Sequence, residues 1–174
     1  MTRSDQFRGL LEAARDGDDG AVAELVRQTQ ADVWRLCTAM GSPGEEEDLV
    51  QETYLRALRS LPDFRGEARV RSWLLAIGRN VCADHVRRRE RQRRLDVRAR
   101  PTADEAVTAI DEPIADLLAP LDDDRREAFV LTQLLGLSYQ EASDTLGCPV
   151  GTVRSRVARA RSQLLTLVDA RRTG

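Results

Sequence analysis

Lysine is missing from this chain: all 27 basic residues among its 174 are arginine. Histidine occurs once, at His85, and cysteine three times, at Cys37, Cys82 and Cys148. With no serine or cysteine placed beside that single imidazole, and no glycine-rich phosphate loop, the materials of an enzyme site are lacking. Zinc normally takes four ligands, whereas Cys37, Cys82 and His85 together make three. Neither a metal nor a cofactor is therefore expected, and buried, inert thiols are, with a redox role left open. An odd number of widely spaced cysteines is no disulfide framework either. Aromatic residues make up 4% of the chain, too few for stacking platforms or a sheet-type core. No apolar run approaches the roughly 20 residues that span a bilayer. The first residues show no signal-peptide pattern, so the expected compartment is the cytoplasm, with no membrane insertion. Nothing alternates with period two for long enough to make a strand.

What is present is helical and unevenly charged. A hydrophobic content of 41% supports a packed core, and the length suits one ordinary domain or two small ones. Net charge is only −2, but its distribution is lopsided. Residues 87–100 carry eight arginines against Glu90 and Asp96, and residues 149–172 carry six against Asp169 alone. Acidic residues gather at 45–48 and between Asp104 and Asp124. Two basic zones separated by acidic ones suggest two contacts with a phosphate backbone.

Apolar periodicity places helices at 5–16, 20–40 and 43–61, then a long one at about 69–93. Later helices are expected at 114–119, 122–135, 138–146 and 149–171. Ser42 and Glu45 space as a capping box with Pro43 at the first helical position. The loop at 62–68 holds Phe64 as an exposed-looking aromatic. The stripe expected to be buried in the long helix is Val70, Trp73, Leu74, Ile77 and Val81, with Arg79, Asn80, Asp84, Arg87 and Arg88 on its other face. Between 95 and 115 the periodicity fades among prolines and acids, as in a linker.

The segment from Leu137 to Arg161 is the most specific. Ser138 and Glu141 form an S-x-x-E capping box, Gly147 can end a helix in the left-handed conformation, and Pro149 suits the start of the next. A short helix, a tight turn and a second helix make the spacing of a DNA-reading helix-turn-helix. In the second helix Val150, Val153, Val157, Ala160, Leu164 and Val168 form the expected buried stripe. Arg154, Ser155, Ala158, Arg159, Arg161 and Ser162 fall on the other faces. Arginine pairs bidentately with a guanine edge, and alanine admits a thymine methyl.

In the helix at 43–61, Leu49/Val50, Tyr54, Ala57/Leu58 and Leu61 read as the apolar side. Asp48, Gln51, Glu52 and Arg56 share a polar side able to hydrogen-bond a partner helix, or simply to face water.

Asp48-Leu49-Val50-Gln51-Glu52-Thr53-Tyr54-Leu55-Arg56-Ala57, then Phe64-Arg65, Ser72-Trp73-Leu74 and Asn80-x-x-x-Asp84-x-x-Arg87, resemble region 2 of bacterial sigma-70 factors. The segment Ser138–Arg161 is similar to their region 4. Short length and a single linker resemble the extracytoplasmic-function group. Tyr54 stands where phenylalanine is usual, and Ser143 where alanine is common. The fold implied is all-α: two small helical domains, region 2 over 5–94 and region 4 over 113–172, joined by a flexible linker at 95–112.

The resemblance further implies that Asp48, Gln51, Glu52, Leu55 and Arg56 dock on the beta-prime clamp helices of core RNA polymerase. Phe64, Arg65 and Gly66 would form the pocket for a flipped-out base of the melted minus-ten strand, with Asn80, Arg87 and Arg88 contacting bases and phosphates. For Phe64 the alternative is simple anchoring of the loop. Arg154, Ser155, Ala158 and Arg159 would read the minus-thirty-five duplex, and Arg156 and Arg161 would serve its phosphates. The partners implied are core polymerase (clamp helices and beta flap), promoter DNA and an anti-sigma factor. The rival reading is a stand-alone helix-turn-helix regulator, which would bind a palindrome without polymerase. A helical adaptor with no DNA role would leave the cap, turn and arginine pattern unexplained.

Overall fold

The structure, a computed structural model, describes residues 3–64, 69–96 and 114–173. Its helices, in order, are α1 (Arg3–Arg15), α2 (Asp19–Met40), α3 (Glu46–Ser60), α4 (Val70–Asp96), α5 (Ile114–Leu118), α6 (Asp123–Phe129), α7 (Tyr139–Leu146) and α8 (Val150–Thr173). A 3₁₀ turn, Leu61–Asp63, follows α3, and a π-helical turn, Val130–Leu134, follows α6. Among the described residues there is no strand.

Helix starts follow side-chain chemistry where a cap exists. Asp18 accepts from the Gly20 and Ala21 amides at 2.8 and 3.1 Å, and this opens α2. The capping box expected at Ser42 and Glu45 does not form. Gly44 takes a left-handed φ of +83°, inserting a turn after Pro43, and α3 begins only at Glu46 with no side-chain cap. Glu46, Glu47 and Asp48 in its first turn face the positive end of the helix dipole instead.

The buried line of α3 is Leu49, Thr53, Ala57 and Leu61, which corrects the expected Leu49/Val50–Tyr54–Ala57/Leu58 stripe. Thr53 reaches the core because its hydroxyl donates to the Leu49 carbonyl at 2.7 Å, so that only its methyl needs apolar company. Tyr54 is half-buried, and its hydroxyl lies 2.8 Å from that of Thr29 on α2, a contact phenylalanine could not make. Gly78 lets α4 approach α2 closely, since a β-carbon there would lie 2.8 Å from Leu36 Cδ2.

Phe64 is not exposed. It is half-buried against the cluster of Phe7, Leu11, Ala14, Ala21, Leu25, Leu61 and Val70, with its ring centroid 4.6 Å from that of Trp73. The long helix runs to Asp96, so the first two residues assigned to the linker are helical. Residues 97–112 of that linker lie outside the described residues.

In α5–α8 the expected caps are present. Ser138 and Glu141 make the reciprocal capping box, and Gly147 closes α7 at φ +64°. The Ser143 hydroxyl donates to the Cys148 carbonyl at 2.6 Å across the turn, giving the residue that replaces alanine a partner. On α8 Val153, Val157, Ala160 and Leu164 are buried, but Val168 is 41% exposed. The 24 residues of α8 extend about 36 Å at 1.5 Å per residue, further than the helices beneath it can cover. The buried stripe therefore stops at Leu164.

One apolar core runs through both halves. Val33, Leu36, Cys37, Leu74, Leu75 and Val81 of α2 and α4 join Leu118, Leu121, Val130, Leu131, Val153 and Val157. Helix α5 and the π-helical turn pack on α2, and α7 packs on α4. Each fully buried leucine is worth about 1.5–3 kcal/mol.

Candidate nucleic-acid and polymerase interface

The helix-turn-helix face is built by burial on one side and capping on the other. With Val153 and Val157 in the core and Val150 half-buried at its start, α8 presents Arg154, Ser155, Ala158, Arg159 and Arg161 to solvent. The Arg154 guanidinium lies over the Tyr139 ring, 5.7 Å from its centroid, which orients it without removing its donors. Ser155 donates to the Thr152 carbonyl at 2.9 Å. Arg161 hydrogen-bonds the Gln133 side-chain carbonyl.

Arg156 has a different situation. Only 24% of its side chain is exposed, and it pairs with Asp124 at the start of α6 while donating to Cys148 Sγ at 3.6 Å. It ties α8 to α6 and to the turn, so Arg156 is a strut rather than an open donor.

The cap that positions α7 is electrostatically tuned. Burial alone would raise the Glu141 carboxyl, but the Ser138 hydroxyl and amide, at 2.7 and 2.9 Å, and the Arg69 guanidinium outweigh it. The net result is a carboxyl held below its ordinary value.

On α3, Asp48, Gln51 and Leu55 stand exposed in a row, with Leu55 49% accessible. Glu52 and Arg56 are half-buried and belong to a chain of ion pairs. Arg56 donates to Glu52 at 2.7 Å and to Asp84 of α4 at 2.8 Å, and Arg87 donates to Asp84 at 2.8 Å. The two guanidiniums, Arg56 first, hold the Asp84 carboxyl below its ordinary range. This chain fixes α3 against α4.

On α4, Asn80, Arg87 and Arg88 are exposed. Arg65 and Gly66 lie outside the described residues, and the anchored position of Phe64 fits the loop-anchoring alternative. Arg79, expected on an open face, is instead half-buried and reaches Glu127 of α6 at 3.2 Å. That partner is 48 positions away, and no local pattern in the sequence signals it.

Among the described residues no group of three histidine, cysteine, aspartate or glutamate side chains could hold a metal ion. Cys37 and Cys82 are fully buried side by side, and the hydrogen bond that the protonated Cys82 thiol makes to Cys37, with burial, pushes that thiol upward. Such a thiol is a poor nucleophile. No helix among the described residues is long and apolar enough to cross a membrane.

Two family models match the chain: sigma-70 region 2 over residues 25–92 and sigma-70 region 4 over residues 111–164. The chain is 43% identical over 162 residues to the ECF RNA polymerase sigma factor SigC of Mycobacterium tuberculosis, covering 90% of this chain and 88% of that one. It is 32% identical to the RNA polymerase sigma factor CnrH of Cupriavidus metallidurans over 98% of both. The solved structure of CnrH in complex with the cytosolic domain of CnrY superposes with a TM-score of 0.76, covering 95% of this chain and 98% of that one. The sigma factor RpoE in complex with the anti-sigma factor NepR from Bartonella quintana gives a TM-score of 0.72 at 25% identity, over 84% of this chain and 96% of that one.

Proposed function

The chain belongs to the extracytoplasmic-function group of sigma-70 factors, which direct RNA polymerase to promoters, and from that premise we propose how its residues divide the work. Region 2, assigned to residues 5–94, binds core polymerase and the melted minus-ten strand, and region 4, residues 113–172, reads the minus-thirty-five duplex. The segment at 95–112 joins them. The observation that carries the reading is the exposed Arg154, Ser155, Ala158 and Arg159 face of α8, set opposite its buried valines in a doubly capped helix-turn-helix. These side chains suit base edges in the major groove.

Asp48, Gln51 and Leu55 offer core polymerase two polar side chains and one apolar one on a single helix face. Glu52 and Arg56 contribute from its edge, where the Arg56 guanidinium, paired with both Glu52 and Asp84, fixes their positions. Asn80 reads a base of the melted strand, and Arg87 and Arg88 supply phosphate contacts. Arg161 serves the duplex backbone, and Arg156 sustains the helix that carries the readers. Phe64 anchors the loop in which Arg65 and Gly66 meet the flipped-out base. Polymerase fixes the separation of two weak binders and so supplies the avidity. Further partners in this reading are the beta flap for region 4 and an anti-sigma factor, as in the similar RpoE complex. Work of this kind places the protein in the cytoplasm.

A randomised-promoter selection with core polymerase tests the base assignment. Asn80→Ala changes the preferred minus-ten bases and leaves the minus-thirty-five preference untouched. An unchanged minus-ten preference would remove Asn80 from the reading.

A further inference from the structure

Region 4 is held on region 2 by more than apolar contact. Three arginines at the start of α4 and along it reach across. Arg69 donates to Glu141 at 2.9 Å, and Arg71 donates to the Leu135 carbonyl at 2.5 Å while gripping Asp32 of α2 at 2.6 Å. Arg79 donates through one terminal nitrogen to Glu127 at 3.2 Å. It differs from the other two in its second contact, because its remaining terminal nitrogen donates to Asn80 Oδ1 at 2.8 Å.

That second contact matters for chemistry. An asparagine amide reads adenine bidentately, its oxygen accepting from N6 while its nitrogen donates to N7. With Oδ1 engaged by a guanidinium, one of its two lone pairs is taken and the amide is held turned toward Arg79. The guanidinium is planar and its donors sit in a fixed fork, so anchoring one terminal nitrogen on Glu127 aims the other. The Arg79–Glu127 pair is confined, with side chains 24% and 16% exposed and Arg79 Nε buried without a partner, while Asn80 stands at the surface.

We propose that Arg79 is a positioning residue that couples the seating of region 4 to base reading by region 2: with Glu127 docked, Arg79 occupies the Asn80 carbonyl, and when region 4 lifts away the amide is released to read. The inference rests on the assignment of Asn80 as a base reader made above. Glu127 is suited to a pair that opens. Burial raises its carboxyl, Arg79 only partly offsets this, and Asp124 and Asp123 add to the rise. Where desolvation outweighs attraction, an ion pair selects a geometry more than it locks one. The freed Arg79 guanidinium then stands beside Asn80, placed for a phosphate of the melted strand.

The test uses the full chain and a single-stranded non-template oligonucleotide from a promoter that the wild-type chain transcribes with core polymerase. Glu127→Arg sets two guanidiniums against each other and opens the molecule, raising the radius of gyration in solution scattering. The double swap Arg79→Glu/Glu127→Arg closes it again. In Glu127→Arg the free protein binds the oligonucleotide about tenfold more tightly, as when a blocked fraction is made competent. In an Asn80→Ala background the same substitution gives no gain, which general unmasking of the surface would not predict. The proposal is overturned if the molecule stays compact, if the swap leaves it open, if opening brings no tighter binding, or if the gain survives in Asn80→Ala. Should Asn80→Ala alone leave the minus-ten preference of the wild-type holoenzyme unchanged, the base-reading assignment fails first and the coupling falls with it.

Discussion

Arg156 and Arg159 lie three positions apart on the same helix, and the structure gives them opposite roles. Arg159 is exposed and makes no contact that α8 needs, so Arg159→Ala leaves unfolding nearly unchanged. An arginine–guanine pair is worth about 1–3 kcal/mol of discrimination, which is roughly a 5- to 150-fold loss of preference at one or two minus-thirty-five positions. Arg156 pairs with Asp124, which is 66% exposed, and a pair so solvated contributes about 0–1 kcal/mol. Loss of the largely buried side chain and of its guanidinium contact with Cys148 brings the expected cost of Arg156→Ala to about 1 kcal/mol. In a chain of this size that lowers Tm by roughly 2–4 °C. Its promoter preference keeps the same bases, with activity reduced evenly. The assay pairs thermal unfolding with run-off transcription across a panel of single-base minus-thirty-five variants. If Arg156→Ala redirected base preference while Arg159→Ala changed only Tm, α8 would face the duplex differently from the way its buried valines require.

Other outcomes follow from the same contacts. Gln51→Ala with Glu52→Ala weakens association with core polymerase, measured by titration, while losing only the Glu52–Arg56 pair, about 0.2–0.5 kcal/mol of stability. Unaltered affinity for core would remove this face from the interface. Ser138→Ala leaves the Glu141 amide uncapped and costs about 1 kcal/mol, seen as a lower Tm together with weaker minus-thirty-five activity; an unchanged Tm would show the cap to be idle. Arg56 and Arg87 hold the Asp84 carboxyl below its ordinary value of 3.8. The stability it contributes is present above that value and is lost as pH falls through the lowered one. Asp84→Asn is therefore less stable than wild type at pH 7, and the gap narrows in acid; a gap of constant size from pH 7 to pH 3 would contradict the pairing.

The legible parts of this protein are local ones. Ser138, Glu141 and Gly147 announce their helix ends because caps are made by residues within four positions of one another. The valines of α8 announce its inner face by the same short periodicity. Where local chemistry is outvoted, the sequence misleads. Ser42 and Glu45 have the spacing of a cap, yet Gly44 between them turns the chain first. Thr53 looks polar until its hydroxyl is given the carbonyl one turn back. Phe64 looks exposed because its cover comes from α1, α2 and Trp73 rather than from its own loop. The partners of Arg79, Arg69 and Arg156 lie 48, 72 and 32 positions away, and no periodicity reaches so far. For the candidate site, residue types and helix faces are readable from sequence, whereas the division of arginines into readers and struts needs the packed structure.

The central claim is that this chain confers promoter recognition on a polymerase that lacks it. Run-off transcription with purified core polymerase, on genomic promoter fragments, with and without the protein, measures this directly. The account predicts discrete transcripts that appear only when the chain is added and disappear with Gln51→Ala/Glu52→Ala. Sequence-specific binding to a palindromic site in the absence of polymerase, with no transcripts in its presence, would contradict it.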